Sequence, residues 1–311
     1  MKNKQIEILK GIGAILVVIE HLVPADGNVK IYIYAFHMPL FFFLSGFLFS
    51  TKKDFKDYLK GNLKSLILPY FIFNIISFLL NLDVVIQNKL TVLQILDNIT
   101  FFNSRISWNS SLWFFIILFL TKILFYVFSK ICKDSYKTLS VPVLTTLIIG
   151  IILNVFNINL PFGLSIVPFA ITFFYTGYLC KNFKILEKIK LNFKTLPVII
   201  VLFIINILVS LYNTRVNMST NIYNNYLLYF FNALTGIYLC IQLSNLLKNS
   251  KLLCVYSNCF MIMFSTQRLL FKYYPFDREK HYIIAIFITL TIYLIYYIIK
   301  EVISKKIAKN K

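Results

Sequence analysis

A chain of 311 residues that is 59% hydrophobic and only 14% charged lies far from soluble composition, where about 25% of residues are charged. With a mean hydropathy of +0.75, an ordinary water-soluble fold is excluded, and membrane lipid becomes the first expected partner. The formal net charge of +20 does not point to nucleic acid, because Lys and Arg sit between long apolar runs instead of on a soluble face with interleaved aromatics.

A transmembrane helix needs about 20 predominantly apolar residues. In chain order such segments are 6–23, 31–50, 65–82, 112–131, 139–156, 164–180, 195–212, 225–247, 253–271 and 281–300. They predict an all-α, polytopic transmembrane bundle of about ten helices, one domain over 1–311. The stretch 91–102 is too short to cross and too apolar for a loop, so it is expected as an interfacial or re-entrant helix. Lys2, Lys4 and Val23-Pro24-Ala25 imitate a signal peptide, but polar residues within the first apolar stretch argue for a retained helix. Cys132, Cys180, Cys240, Cys254 and Cys259 are scattered, odd in number and without a CxxC pair. Neither a disulfide framework nor a metal cluster is expected.

The positive-inside rule orients the chain. With the N-terminus in the cytoplasm, the inner side receives Lys2, Lys4, Lys52, Lys53, Lys56, Lys60, Lys64, Lys130, Lys133, Lys137, Lys181, Lys184, Lys188, Lys190, Lys194, Lys248 and Lys251. The cluster from Lys300 to Lys311 joins them, whereas the outer loops keep only Lys30, Lys89, Arg105, Arg215, Arg278 and Lys280. Both termini are therefore expected in the cytoplasm.

Ionisable groups inside a membrane are costly and mark function by default. The first helix carries Glu7, Lys10, Glu20 and His21. Lys10 and His21 fall about 20° apart on one face and about 16 Å apart along the axis. Gly11 and Ala14 keep much of that face small, so a thin ligand fits against it. Glu20 points about 100° away from His21. In the second helix Pro39 removes a hydrogen bond, which frees a carbonyl near His37. His21 and His37 occupy the outer half of one hairpin and can meet. Set against this, Lys10 snorkelling to headgroups and His21 marking the interface explain the spacing without any chemistry.

Beginning at Ile6-Glu7-Ile8-Leu9-Lys10-Gly11, with His21 and then Phe36-His37-Met38-Pro39-Leu40-Phe41-Phe42-Phe43-Leu44-Ser45-Gly46, the chain resembles the integral-membrane acyltransferases of family three, which modify bacterial surface glycans. That family's first helix has Arg or Lys, ten residues, then His, and its second ends in a Phe-rich Ser-Gly motif. Leu112-Trp113-Phe114, Leu160-Pro161-Phe162 and Phe174-Tyr175-Thr176-Gly177-Tyr178 are similar to later family motifs. Asn213-Thr214-Arg215-Val216-Asn217-Met218 is similar to an outer loop of the polysaccharide O-acetyltransferases. Glu7 stands where the family often has Asp, and Gln267 where it commonly has His.

The resemblance implies a bacterial cytoplasmic-membrane enzyme that moves an acetyl group from cytoplasmic acetyl-CoA to a glycan hydroxyl. His21 is implied as base or acyl carrier, with His37 orienting it. Lys10, Lys52 and Lys53 are implied on the CoA phosphates, Ser45 along the thioester path, and Trp113, Arg215, Asn217, Gln267 and Arg268 on the sugar side. No metal is implied, and succinyl or another short acyl group fits the same reading. Two other functions fit the composition: a transporter or flippase of about ten helices, and a non-catalytic member of the same fold, for which Gln267 argues.

Overall fold

The computed structural model describes residues 4–189, 191–277 and 280–309, the last three by backbone alone. Lys2, Lys190, Arg278 and Lys311, which enter the charge reading above, lie outside them. In chain order the helices are α1 (Lys4–Leu22), α2 (Asn28–Tyr34), α3 (His37–Phe47), α4 (Phe55–Asn62), α5 (Leu68–Leu80), α6 (Leu82–Gln87), α7 (Val92–Thr100) and α8 (Trp113–Ile131). They continue with α9 (Tyr136–Val155), α10 (Val167–Asn182), α11 (Ile185–Lys188), α12 (Leu196–Tyr212), α13 (Tyr226–Leu246), α14 (Lys251–Lys272) and α15 (Tyr282–Lys309). Among the described residues there is no strand, only an isolated bridge between Asn217 and Ile222.

Among the described residues, seven stretches are long and apolar enough to cross a membrane: Asn28–Phe47, Phe55–Leu80, Ser110–Ile131, Tyr136–Val155, Pro161–Asn182, Tyr226–Leu246 and Tyr282–Lys306. The other three expected spans are helices that fall short, so ten crossings do not follow from length and composition. α12 has only 17 residues. α1 carries Lys4, Glu7, Lys10 and Glu20, and α14 is diluted by Ser257, Asn258, Ser265, Thr266, Gln267 and Arg268. The 91–102 segment holds α7, nine residues long and opened by a Thr91–Gln94 capping box. It is too short to cross, and its Val92, Leu93 and Leu96 are exposed while Asn98 is buried.

The burial pattern belongs to lipid. On α12, Val198, Val201, Ile204 and Leu208 are exposed while Asn206 and Ser210 are buried. Asn206 Nδ2 donates to the Asn232 carbonyl on α13 at 3.0 Å. In water this helix would be inside out; in hydrocarbon, polar groups must be satisfied within protein. This is a membrane protein.

By packing, the chain falls into two compact units. The first comprises Met1–Phe41, Glu187–Val216 and Tyr223–Lys311. In it α1 runs beside α14, so close at Gly11 that a Cβ there would strike the Leu253 carbonyl. Ala14, Val18 and Leu22 share a core with Tyr256, Cys259, Met263, Ala285 and Tyr293. Gln5 Nε2 donates to Asn245 Oδ1 at 2.7 Å, and Asn245 Nδ2 to the Ile189 carbonyl at 3.1 Å. These bonds gather Lys4, Lys188, Lys248 and Lys251 at one end of the unit.

The second unit comprises Phe42–Leu186 and Asn217–Ile222. Its α3 and α10 touch backbone to backbone: a Cβ on Gly46 would meet the Phe174 carbonyl, and one on Gly177 the Phe43 carbonyl. Phe49 then seats edge-on against Tyr58, Phe125, Phe174 and Tyr178. At this end Lys181 Nζ donates to the Phe49 carbonyl at 2.6 Å, the Tyr126 hydroxyl to the Lys53 carbonyl at 2.9 Å, and Thr51 Oγ1 to the Asp134 carboxylate at 3.2 Å. Lys52, Lys53, Lys130, Lys133 and Lys181 thus collect at one end of this unit as well.

Candidate functional site

The site grows from a helix break. Pro39 has no N–H, so the Ala35 carbonyl loses its helical donor, and the backbone opens between α2 and α3 at Ala35–Phe36. Ala35 and Phe36 close tighter bonds there, to the Tyr32 carbonyl at 3.3 Å and the Ile33 carbonyl at 3.2 Å. His37 fills the gap, with Nδ1 donating to the Ile33 carbonyl at 2.8 Å. That bond fixes its tautomer and turns Nε2 towards Glu20 Oε1, 4.0 Å away.

Glu20 is the centre of the arrangement. His21 Nε2 lies 2.9 Å from Glu20 Oε1, so the expectation that Glu20 points away from His21 is corrected. The two Cβ atoms do diverge around the helix, but the long carboxylate arm curls back to its neighbour. With Nε2 donating, neutral His21 carries its basic lone pair on Nδ1. Glu20 and His37 are both buried, and a buried carboxylate persists only with partners. Tyr34 stands close enough to act on both Glu20 and Arg215, although Glu20 Oε2 has no hydrogen-bond partner among the described residues. The Arg215 guanidinium lies 4.7 Å over the Tyr34 ring and Lys30 Nζ 5.9 Å over it, while the His37 ring is 5.2 Å away. Arg268 and Lys30 stand close enough for their charges to act on His21. One carboxylate and two imidazoles are thus ringed by three cations, a setting that favours developing negative charge.

Gln267 adds an unusual feature. Its side chain is fully buried, yet neither amide atom has a hydrogen-bond partner, an arrangement that costs about 1–3 kcal/mol per orphaned group. It lies two turns beyond Phe260 on the same stripe of α14, and Phe260 stacks on Phe41 of α3 at 4.5 Å.

Of the predicted site residues, the first unit brings together His21, His37, Arg215 and Arg268, with Gln267 beside Arg268 on α14. Lys10 is half-buried in the other half of α1. The strip between Lys10 and His21 is not open: Ala14 and Val17 are buried, and Gly11 serves close packing against α14. The smallness read as room for a ligand is room for a helix.

Ser45, Lys52, Lys53, Trp113 and Asn217 belong to the second unit. The Ser45 hydroxyl and the Trp113 indole make no hydrogen bond within the described chain. Asn217 Oδ1 is occupied, accepting from Ser219 N at 3.2 Å and Ser219 Oγ at 2.8 Å. Lys181, whose charge acts together with that of Lys52, was missed as a site residue, as were Tyr34 and Lys30. Their only signals in sequence are Lys30 and Tyr34 four residues apart on one helix face and Tyr34 three before His37.

Residues 3–307 match the acyltransferase domain of acyltransferase family three. The chain belongs to this family. No curated protein and no solved structure matches it. In the acyltransferase, the Ser45-Gly46 and Phe174-to-Tyr178 motifs are two sides of one helix contact, since Gly46 and Gly177 each meet the other helix's backbone.

Proposed function

We propose that this acyltransferase moves an acetyl or similarly short acyl group from cytoplasmic acetyl-CoA to a hydroxyl of a cell-surface or lipid-linked glycan, in the bacterial cytoplasmic membrane with both termini inside. The observation that carries the reading is the Glu20–His21 contact of 2.9 Å. A carboxylate against an imidazole stabilises its protonated form, which is what a histidine acting as general base requires.

In this scheme His21 Nδ1 takes the acceptor's O–H proton as that oxygen attacks the thioester carbonyl carbon. The C–S bond then breaks, and the leaving thiolate takes the proton from His21. Tyr34, and His37 when protonated, hold Glu20, while Arg215 and Arg268 stabilise the oxyanion. The orphaned Gln267 amide hydrogen-bonds the sugar. Lys10 holds CoA phosphate as a compact point charge.

Purified protein in nanodiscs tests this directly. CoA thiol release from acetyl-CoA is expected, rising when envelope glycan from the host is added. Lys10→Ala should weaken acetyl-CoA binding about ten- to a hundredfold, the equivalent of about 1.5–3 kcal/mol for a charge-assisted bond, and Lys10→Arg should retain much of it. No thiol release from the wild type would refute the enzyme reading; unchanged affinity in the alanine variant would return Lys10 to snorkelling.

The orientation is supported by the lysine-rich end of each unit. Reporter fusions at Lys194 and Lys311 should read cytoplasm, and one at Asn217 the outside. Lys194 and Asn217 on the same side would refute the assignment.

A further inference from the structure

The second unit carries a polar cavity of about 540 Å³ at the end opposite its lysines. Four segments converge on it: the end of α7, residues 103–105, residues 159–166, and the 217–222 turn. The volume falls within the about 300–1,000 Å³ typical of small-ligand sites.

Its walls are locked by side chain–backbone bonds. Asp97 Oδ1 accepts from Asn103 N at 2.6 Å, Ser104 Oγ from Gly163 N at 2.7 Å, and Ser165 Oγ from Leu160 N at 2.7 Å. Asn154 Nδ2 donates to the Asn221 carbonyl at 2.7 Å. Ser104 and Asn221 in the lining, and Phe101 and Phe162 next to it, hold φ between 57° and 62°, a left-handed conformation that costs non-glycine residues energy. Such strain persists where surrounding structure enforces it and collects at functional sites.

With the frame committed, three lining side chains remain. Asn103, Arg105 and Asn159 make no side-chain hydrogen bond within the described residues. Two amides and a guanidinium offer donors in excess over acceptors, suited to ring oxygens, hydroxyls and carboxylates. Beside them the exposed rings of Phe102 and Phe162 stand edge to face at 5.3 Å, an apolar surface for the C–H face of a pyranose.

We propose that this cavity binds carbohydrate, holding a segment of the acceptor saccharide. The assignment rests on the glycan acceptor proposed above, and on that orientation the cavity opens outside the cell. Whole protein in nanodiscs, applied to a lipid-free array of bacterial surface oligosaccharides, tests it.

Wild type is expected to retain at least one glycan. The double variant Arg105→Ala/Asn159→Ala should bind it at least tenfold more weakly while keeping thiol release from acetyl-CoA without acceptor, and His21→Asn should bind it undiminished. If the double variant fails to elute as a folded species, Thr220→Trp, which fills the cavity from its exposed turn, replaces it. No retained glycan, or undiminished binding by the cavity variants, overturns the proposal. Cavity-dependent glycan binding in a protein that never releases CoA thiol would instead refute only the acyl-transfer reading.

Discussion

Replacing His21 by Asn should lower acyl transfer by about 10²–10⁴-fold, the usual contribution of a positioned acid–base group, while acetyl-CoA binding and membrane insertion stay intact. Asn keeps a hydrogen-bond donor towards Glu20 but cannot accept a proton at neutral pH. Glu20→Gln separates the two halves of the dyad. It retains an oxygen to accept from His21 Nε2 but removes the negative charge that stabilises the protonated imidazole, so its loss should be smaller than that of His21→Asn. His37→Asn should also cost less, because His37 faces Glu20 at 4.0 Å and acts on His21 only through it. Single-turnover acetyl transfer with quantified glycan product reads all three. Near-normal transfer by His21→Asn with none by His37→Asn would exchange the two roles; activity in both would end the histidine mechanism.

Gly177→Val and Gly46→Val should each remove most of the folded protein. At both positions a Cβ would overlap backbone of the facing helix, and backbone cannot rotate aside as a side chain can. Overpacking a well-fitted contact costs typically about 1–3 kcal/mol and occasionally more, and here both helices would have to separate along an interface that also positions Phe49. Gly61 in α4 is an internal control, because an added Cβ there meets nothing within 4 Å. Gly61→Ala should be neutral or stabilising by up to about 1 kcal/mol. Fluorescence-detected size exclusion and thermal melting in detergent give the comparison. Equal behaviour of Gly177→Val and Gly61→Ala would show that the α3–α10 contact is not required.

The sequence by itself determined that this is a helical membrane protein, where its long apolar helices lie, and that Lys10, His21 and the Phe-rich Ser-Gly stretch resemble its family. Those properties are local: an apolar run of sufficient length must form a helix to satisfy its own backbone in lipid, and a motif is a spacing along one helix. Counting the crossings was harder for the same reason, because α1 and α14 carry the polar groups of the site and so look less like spans than the lipid-facing helices do.

Only the tertiary structure decided what those residues touch. Helical geometry sends the Cβ atoms of Glu20 and His21 in different directions, and only the folded hairpin shows the carboxylate returning to the ring. It took packing to reveal that Gly11 and Ala14 make room for α14, that Gly46 and Gly177 meet one contact from opposite sides, and that Tyr34, Lys30 and Arg215 gather around Glu20. The polar cavity of the second unit is built from four segments far apart in the chain, from Gln94 to Asn221, tied by side chain–backbone bonds such as Gly163 N to Ser104 Oγ and Asn154 Nδ2 to the Asn221 carbonyl. Contacts of that kind leave no periodicity in the sequence, since their energies depend on distances between residues whose order along the chain carries no information about them.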